Sequence, residues 1–417
     1  MPDSEPPLER SPGDRTTRFG DVLAIREFQL LWVAVAQSAI GDQLAKVALS
    51  ILVFDRTGSP LLTAATYGAT YVPYLVAGPL LAPLGDRYRR REVIIVSDLV
   101  RAVLMGVMVI PGLPLWTLFV LVFAAGLAKP PFDAARSAML PDILPGDLFV
   151  MGTAVTQTTS QLTQVIGFAV GGIIVGTIGA HEALLLNALT FALSALLFRI
   201  GIKNRPATRG RGQGMARVIT TGTKVVFGDP RLRALIGMGM LAGFYVVPEG
   251  LAVPYVQNQL SLDPFHSGIL LASGPLGMAL GSLMLSRFVR PIRRTRVMGP
   301  LSVVGLLCLI PFWFVPSFRV ACVLVFVSGL ALGYSIAANQ AFVSIVSNRS
   351  RGQALGLAQA LLSLAQGAAI VLAGAVATAM SSAVTISISG TLGAIVAFLL
   401  WLGWAQATRS YEGDRDD

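Results

Sequence analysis

Blocks of about twenty apolar residues recur along the whole chain, and they limit the fold more than any other feature. A helix needs a block of this length to cross the hydrocarbon core of a bilayer. Only 13% of the 417 residues are charged, about half the share usual in soluble proteins. The sequence therefore predicts an all-α polytopic membrane protein with twelve transmembrane helices. The predicted spans are about 28–54, 61–85, 92–111, 115–136, 148–178, 181–200, 232–259, 266–287, 296–315, 319–345, 353–380 and 383–405.

The positions of the Lys and Arg residues predict the orientation. If the N-terminus is cytoplasmic, most of the 32 basic residues fall in cytoplasmic segments and only Arg56 and Arg319 face outside. Lys46, Arg101 and Lys129 lie within predicted spans. Such an excess follows the positive-inside rule, so both termini are expected in the cytoplasm, as tails 1–27 and 406–417. The net charge of +10 would also suit nucleic acid, but the one-sided distribution of the basic residues argues against that partner. A basic face suits anionic lipid, so membrane lipids are the expected partners.

A polar segment, 201–231, divides the chain into two six-span halves, 28–200 and 232–405, and its second part predicts a helix on the membrane surface. Asp42 lies sixteen residues after Arg26, and Glu249 lies sixteen residues after Arg233. At 1.5 Å per residue both acids reach a depth of about 24 Å. Pseudo-symmetric halves with matched polar residues at mid-membrane are typical of secondary transporters.

The turn after the second span reads "APLGDRYRRREVIIVSDLVRA", residues 82–102. It resembles the cytoplasmic signature of the major facilitator superfamily, although Ala82 and Arg89 stand where that signature has glycine. The resemblance is closer to the enterobactin-exporter-like, multidrug-efflux-like bacterial branch. Further motifs of that branch are "GD" at 41–42, "TGSP" at 57–60, Asp98 with Arg101, "PE" at 248–249 and "RG" at 351–352.

This resemblance implies two six-helix bundles in a bacterial plasma membrane and a cytoplasmic gate that latches the halves together. The alternative for the arginines is the positive-inside rule alone, which does not explain an aspartate. Near the end of the fourth span, Asp133 is expected to pair with Arg90 of the gate or, alternatively, with Lys129 at the membrane edge. The predicted gate residues are Asp86, Arg87, Arg90, Arg91, Asp133 and Arg136.

The fifth span contains "GFAVGG", which resembles the antiporter motif of drug exporters with Phe168 in place of proline. Its glycines Gly167, Gly171 and Gly172 fit two interpretations, a coupling role or close helix packing.

Charged and polar residues inside the spans predict a cavity. Asp42 and Lys46 lie one helical turn apart and are expected to form an ion pair. Glu249 has no basic neighbour in its own span, so it is the candidate for proton coupling. Polar stripes face either the cavity or another helix. Their members here are Tyr67, Tyr71, Gln157, Gln161, Asn339 and Gln340.

These features predict a secondary active transporter, a monomer without cofactor, that couples protons to efflux of a small amphiphilic compound such as a drug, siderophore or secondary metabolite. A lipid or lysolipid translocator, an uptake permease and a non-transporting sensor are the alternatives. An enzyme is not expected, because His, Cys and paired carboxylates form no catalytic cluster. With two His and two Cys residues, no metal site is expected either.

Overall fold

The computed structural model describes residues 19–74, 88–205, 215–347 and 350–416, and within these ranges the chain forms helices and no strands. In those ranges, nine helical stretches are long and apolar enough to cross a membrane. Helices also occupy the predicted first and third spans, which carry charged residues in their interiors. The predicted second span is described only as far as residue 74.

The N-terminal half contains eight described helices. The fourth predicted span is broken where Pro130 and Pro131 occupy the first turn of a new helix, a position that proline tolerates because its missing N–H has no helical partner there. The helices are α1 (Phe19–Leu23), α2 (Arg26–Thr57), α3 (Pro60–Gly68), α4 (Arg90–Met108), α5 (Leu115–Leu127), α6 (Lys129–Ile143), α7 (Asp147–Ile178) and α8 (Ala180–Gly201).

The C-terminal half follows a helix in the linker. That helix is α9 (Met215–Gly228), and it packs against the helix of the eleventh span. The remaining helices are α10 (Pro230–Met240), α11 (Ala242–Tyr245), α12 (Val247–Gly250), α13 (Ala252–Pro254), α14 (Pro264–Phe288), α15 (Pro291–Leu307), α16 (Phe318–Leu332), α17 (Ser335–Ile345), α18 (Arg351–Ala379) and α19 (Ser382–Asp416).

The seventh span is not one regular helix. It runs as four short helices, α10 to α13, and ends in a π-helical turn, Tyr255–Gln259. Pro248 and Pro254 lie in this region, and each removes a backbone donor and crowds the preceding turn. The Oε1 atom of Gln259 accepts a hydrogen bond of 3.0 Å from the backbone N–H of Ala383 at the start of α19. The two prolines account for the irregular course of the second part of this span.

The two halves meet at one end of the molecule. There the end of α7 lies against the start of α14, and a Cβ atom on Gly172 would be only 2.7 Å from the Cα atom of Gly268. Helices α3 and α18 also meet, through Gly68 and Gly367. Small residues allow this close backbone approach. A cavity lies between the halves beyond these contacts, toward the end where α7 begins. In the predicted orientation this opening faces the cytoplasm.

Candidate functional site

The cavity between the halves has a volume of about 870 Å³ and receives side chains from both of them. This volume lies in the range of ligand pockets, about 300–1,000 Å³. Apolar and polar residues line it in similar numbers, apolar surface is the larger share, and charged residues are concentrated on α2, α4 and α6 of the N-terminal half. The site therefore combines apolar surface with fixed charge.

A cluster of charged side chains, most of them largely buried, surrounds Asp42. Its Oδ1 atom lies 2.6 Å from Nη2 of Arg101, and its Oδ2 atom lies 2.5 Å from Nζ of Lys129. Arg101 also approaches Oδ1 of Asp98 at 3.4 Å. The guanidinium carbon of Arg101 lies 3.8 Å from the centre of the Phe191 ring. Opposite charges from three helices thus compensate one another inside the N-terminal half.

The prediction that Asp42 and Lys46 form an ion pair is wrong. Spacing along α2 places the two residues on one face, but Arg101 and Lys129 arrive from α4 and α6 and occupy both carboxylate oxygens. Neither Arg101 nor Lys129 was predicted to line the cavity. The signal that could have found them was their position as charged residues inside predicted spans.

Lys46 instead lies over two aromatic rings. Its Nζ atom is 5.4 Å from the ring centre of Tyr67 and 5.6 Å from that of Tyr71. A cation at this distance is attracted by the negative face of an aromatic ring. Its ammonium therefore makes no ion pair in the Asp42 cluster and lies over the rings of Tyr67 in α3 and Tyr71 in the turn after it.

Glu249 connects the two halves. Its Oε2 atom accepts a hydrogen bond of 2.7 Å from the hydroxyl of Tyr67. Tyr67 belongs to α3 and is only 2% exposed, whereas Glu249 belongs to α12 and lines the cavity. The structure therefore supplies a partner that the sequence did not predict, a neutral hydroxyl from the opposite half.

The polar stripes divide into two groups. Tyr71, Gln157 and Gln161 line the cavity as predicted, while Tyr67 lies behind the lining. The prediction that Asn339 and Gln340 line the cavity is wrong. Both are exposed outside it, and Oε1 of Gln340 accepts a hydrogen bond of 3.3 Å from Arg294. Both side chains lie on the exposed surface of α17.

The predicted gate is described only in part, since Asp86 and Arg87 lie outside the described residues. Nη1 of Arg90 lies 2.6 Å from Oδ2 of Asp142, and Nη1 of Arg91 donates to the carbonyl oxygen of Ile202 at 3.0 Å. Neither contact reaches the C-terminal half, since Asp142 lies in α6 and Ile202 directly follows α8. This arrangement fits a structure that is open at this end, and the gating role stays a prediction.

Asp133 has neither of its predicted partners. The hydroxyl of Tyr74 donates to its Oδ2 atom at 3.1 Å, and Nη2 of Arg136 lies 3.7 Å from its Oδ1 atom. The predicted pairs of Asp133 with Arg90 and with Lys129 are therefore wrong. Arg90 contacts Asp142 and Lys129 contacts Asp42, because these acids lie nearer in the folded chain.

The glycines of the fifth span lie at close helix contacts. Gly167 and Gly171 pack against α2, where a Cβ atom would lie 2.7 Å from Gln43 and 3.2 Å from Leu44. Gly172 faces Gly268 across the boundary between the halves. Packing accounts for all three positions, and the coupling role of this motif stays a prediction.

Comparison with known proteins gives a consistent result. The sequence profile described as Major Facilitator Superfamily matches residues 31–249 and 250–415. The chain is 27% identical to the multidrug efflux pump Tap of Mycobacterium tuberculosis, over 83% of this chain and 85% of that protein. It is 23% identical to macrolide efflux protein A of Streptococcus pyogenes, over 63% of this chain and 66% of that protein.

Solved structures share the fold at low sequence identity. The nucleoside transporter NupG is 14% identical and has a TM-score of 0.73, over 91% of this chain and 99% of that one. A bacterial homologue of the human lysosomal transporter Spinster, in an inward-facing and unoccupied conformation, is 13% identical. Its TM-score is 0.72, over 93% of this chain and 97% of that one.

Proposed function

The chain belongs to the major facilitator superfamily, and from this we propose that it is a proton-coupled exporter of small amphiphilic compounds. A member of this family moves a small molecule across a membrane, and in the bacterial relatives named above that process is efflux. In alternating access, two halves rock around a central site that opens to one face at a time. The cavity between the halves fits the binding site of such a cycle.

The observation that carries the proposal is the hydrogen bond between Tyr67 and Glu249. It joins a carboxylate of one half to a hydroxyl of the other half, so rocking of the halves must change the surroundings of the carboxylate. When the halves separate at this level, Glu249 loses its donor and meets water from the opposite face. A carboxyl whose partner depends on the conformation can take up a proton on one side and release it on the other.

The composition of the cavity supports the substrate class. Its walls hold apolar side chains such as Leu31, Met105 and Val122 beside the amides of Gln157 and Gln161. An amphiphile buries its apolar part against such walls and directs its polar part to the amides. The printed names of the relatives, macrolide and multidrug efflux, agree with this class.

The test is transport of radiolabelled erythromycin, a macrolide, in proteoliposomes that contain the purified full chain. We expect accumulation to rise with an imposed pH gradient and to fall when a protonophore collapses it. Glu249→Gln should keep substrate exchange without a gradient and lose the response to the gradient. Asp55→Asn is the matched control, since Asp55 is exposed at the end of α2, outside the cavity.

Two results would overturn the proposal. Transport by the unmodified protein that ignores the pH gradient would exclude proton coupling. A Glu249→Gln protein that responds to the gradient like Asp55→Asn would exclude Glu249 as the coupling residue.

A further inference from the structure

A second cavity lies at the base of the N-terminal half, and we name it the basal cavity. Its volume is about 590 Å³, and it lies between the start of α2, the start of α4 and the end of α8. Three cationic side chains line it, from Arg26, Arg91 and Lys203, beside an apolar wall. The wall is formed by Leu30, Leu197 and Ile200.

Glu27, the acid next to Arg26 in the sequence, already has partners. Both carboxylate oxygens of Glu27 accept hydrogen bonds from Arg205, and Oε1 also accepts from the backbone N–H of Lys203 at 3.0 Å. Partial burial alone would raise the pKa of Glu27, but the contacts with Arg205 and Lys203 outweigh it, and the pKa is lowered. Glu27 therefore stays charged and paired with Arg205, and does not neutralise the basal cavity.

Arg91 is only partly satisfied by the protein. Its Nη1 atom donates to the carbonyl oxygen of Ile202, whereas its buried Nε atom finds no acceptor among the residues that the structure describes. A guanidinium has five N–H donors in a fixed plane, so Arg91 can bind an oxyanion and keep its contact with Ile202. Together with Arg26 and Lys203, it makes the basal cavity positively charged, since no acid of the described ranges 19–74, 88–205, 215–347 and 350–416 lines that cavity.

We propose that the basal cavity binds the phosphate of an anionic phospholipid. The three cations bind the phosphate, and the acyl chains extend along the apolar wall toward Ile200. Ile200 is 73% exposed. The apolar wall selects a lipid over free phosphate, because free phosphate gains nothing from apolar surface. In the predicted orientation this cavity faces the cytoplasmic leaflet, where anionic lipids attract basic residues.

The test is native mass spectrometry of the detergent-solubilised full chain with phosphatidylglycerol or phosphatidylcholine of the same acyl chains. We expect one phosphatidylglycerol to bind per chain, in clear preference to phosphatidylcholine. The double variant Arg26→Gln, Lys203→Gln should lower the affinity for phosphatidylglycerol about 25-fold, since each basic residue at an anionic surface contributes about fivefold. Arg199→Gln is the matched control, because Arg199 is exposed on the same helix end outside the cavity.

Arg26 and Lys203 are both exposed, so the double variant tests charge without removing the buried contact of Arg91. Equal binding of the two lipids by the unmodified chain would overturn the proposal. An undiminished preference in the double variant, or an equal loss in Arg199→Gln, would overturn it as well. Displacement of phosphatidylglycerol by millimolar inorganic phosphate would assign the cavity to free phosphate instead of lipid.

Discussion

Removal of the Tyr67 hydroxyl should weaken the contact that holds the two halves together at their closed end. The substitution Tyr67→Phe keeps the ring beneath Lys46 and removes the donor that lies 2.7 Å from Glu249. A hydrogen bond to a charged group contributes about 1.5–3 kcal/mol, and Tyr67 is only 2% exposed, so water does not replace it in this state. The equilibrium should shift toward the opposite conformation about 10- to 150-fold.

The assay is the distance between spin labels at the open end of the cavity. Asp147 and Arg287 suit this purpose, because both are exposed and lie at the ends of α7 and α14 that point away from the contact between the halves. The native cysteines, Cys308 and Cys322, are replaced by alanine first. We expect the population with the longer distance to decrease in Tyr67→Phe.

The matched control is Tyr74→Phe, which removes a tyrosine hydroxyl bonded to Asp133 within the N-terminal half. It should leave the distance distribution unchanged. Equal shifts in the two variants, or no shift in Tyr67→Phe, would refute the reasoning. A double-mutant cycle with Glu249→Gln adds a second check, because the effect of Tyr67→Phe should shrink when the acceptor is neutral.

Three further predictions concern stability and conformation. Arg101→Met should lower the unfolding free energy in detergent by about 3–5 kcal/mol, because the acids beside it lose their cationic partner. Lys129→Met should lower it less, since the Lys129 side chain is 34% exposed. Equal losses in the two variants would contradict this. Gly172→Ala should cost about 1–3 kcal/mol through its clash with opposing backbone, and the same spin labels should report a shift away from the present state. Loss of the Glu27–Arg205 contact in Glu27→Gln should destabilise at neutral pH. Because the pKa of Glu27 is lowered, this difference should vanish as the pH falls below about 4, and a difference that persists there would be evidence against it.

Patterns along the chain predicted most of the helices correctly because local composition decides them. The apolar blocks of the fourth to twelfth predicted spans coincide with helical stretches able to cross a membrane. The prolines at 130–131 and at 248 and 254 lie where the helices break, since proline cannot donate to the preceding turn. These are properties of a few consecutive residues, and a sequence displays them directly.

Partners between charged residues were predicted poorly. The i, i+4 spacing of Asp42 and Lys46 indicated a pair, but a residue on another helix can approach more closely than a neighbour on the same one. The same reason explains Asp133, whose contacts come from Tyr74 and Arg136. Distance along one helix therefore says little about the partner of a charge in a bundle.

By itself the sequence determined that this chain is a helical membrane protein, and it predicted two related halves with Asp42 and Glu249 as acids of matched depth. Only the tertiary structure decided that Asp42 belongs to a compensated cluster within one half, whereas Glu249 bonds to Tyr67 across the two. The physical reason is that hydropathy and helix breaks are local, while the compensation of a buried charge depends on the side chains that folding brings within about 3 Å of it.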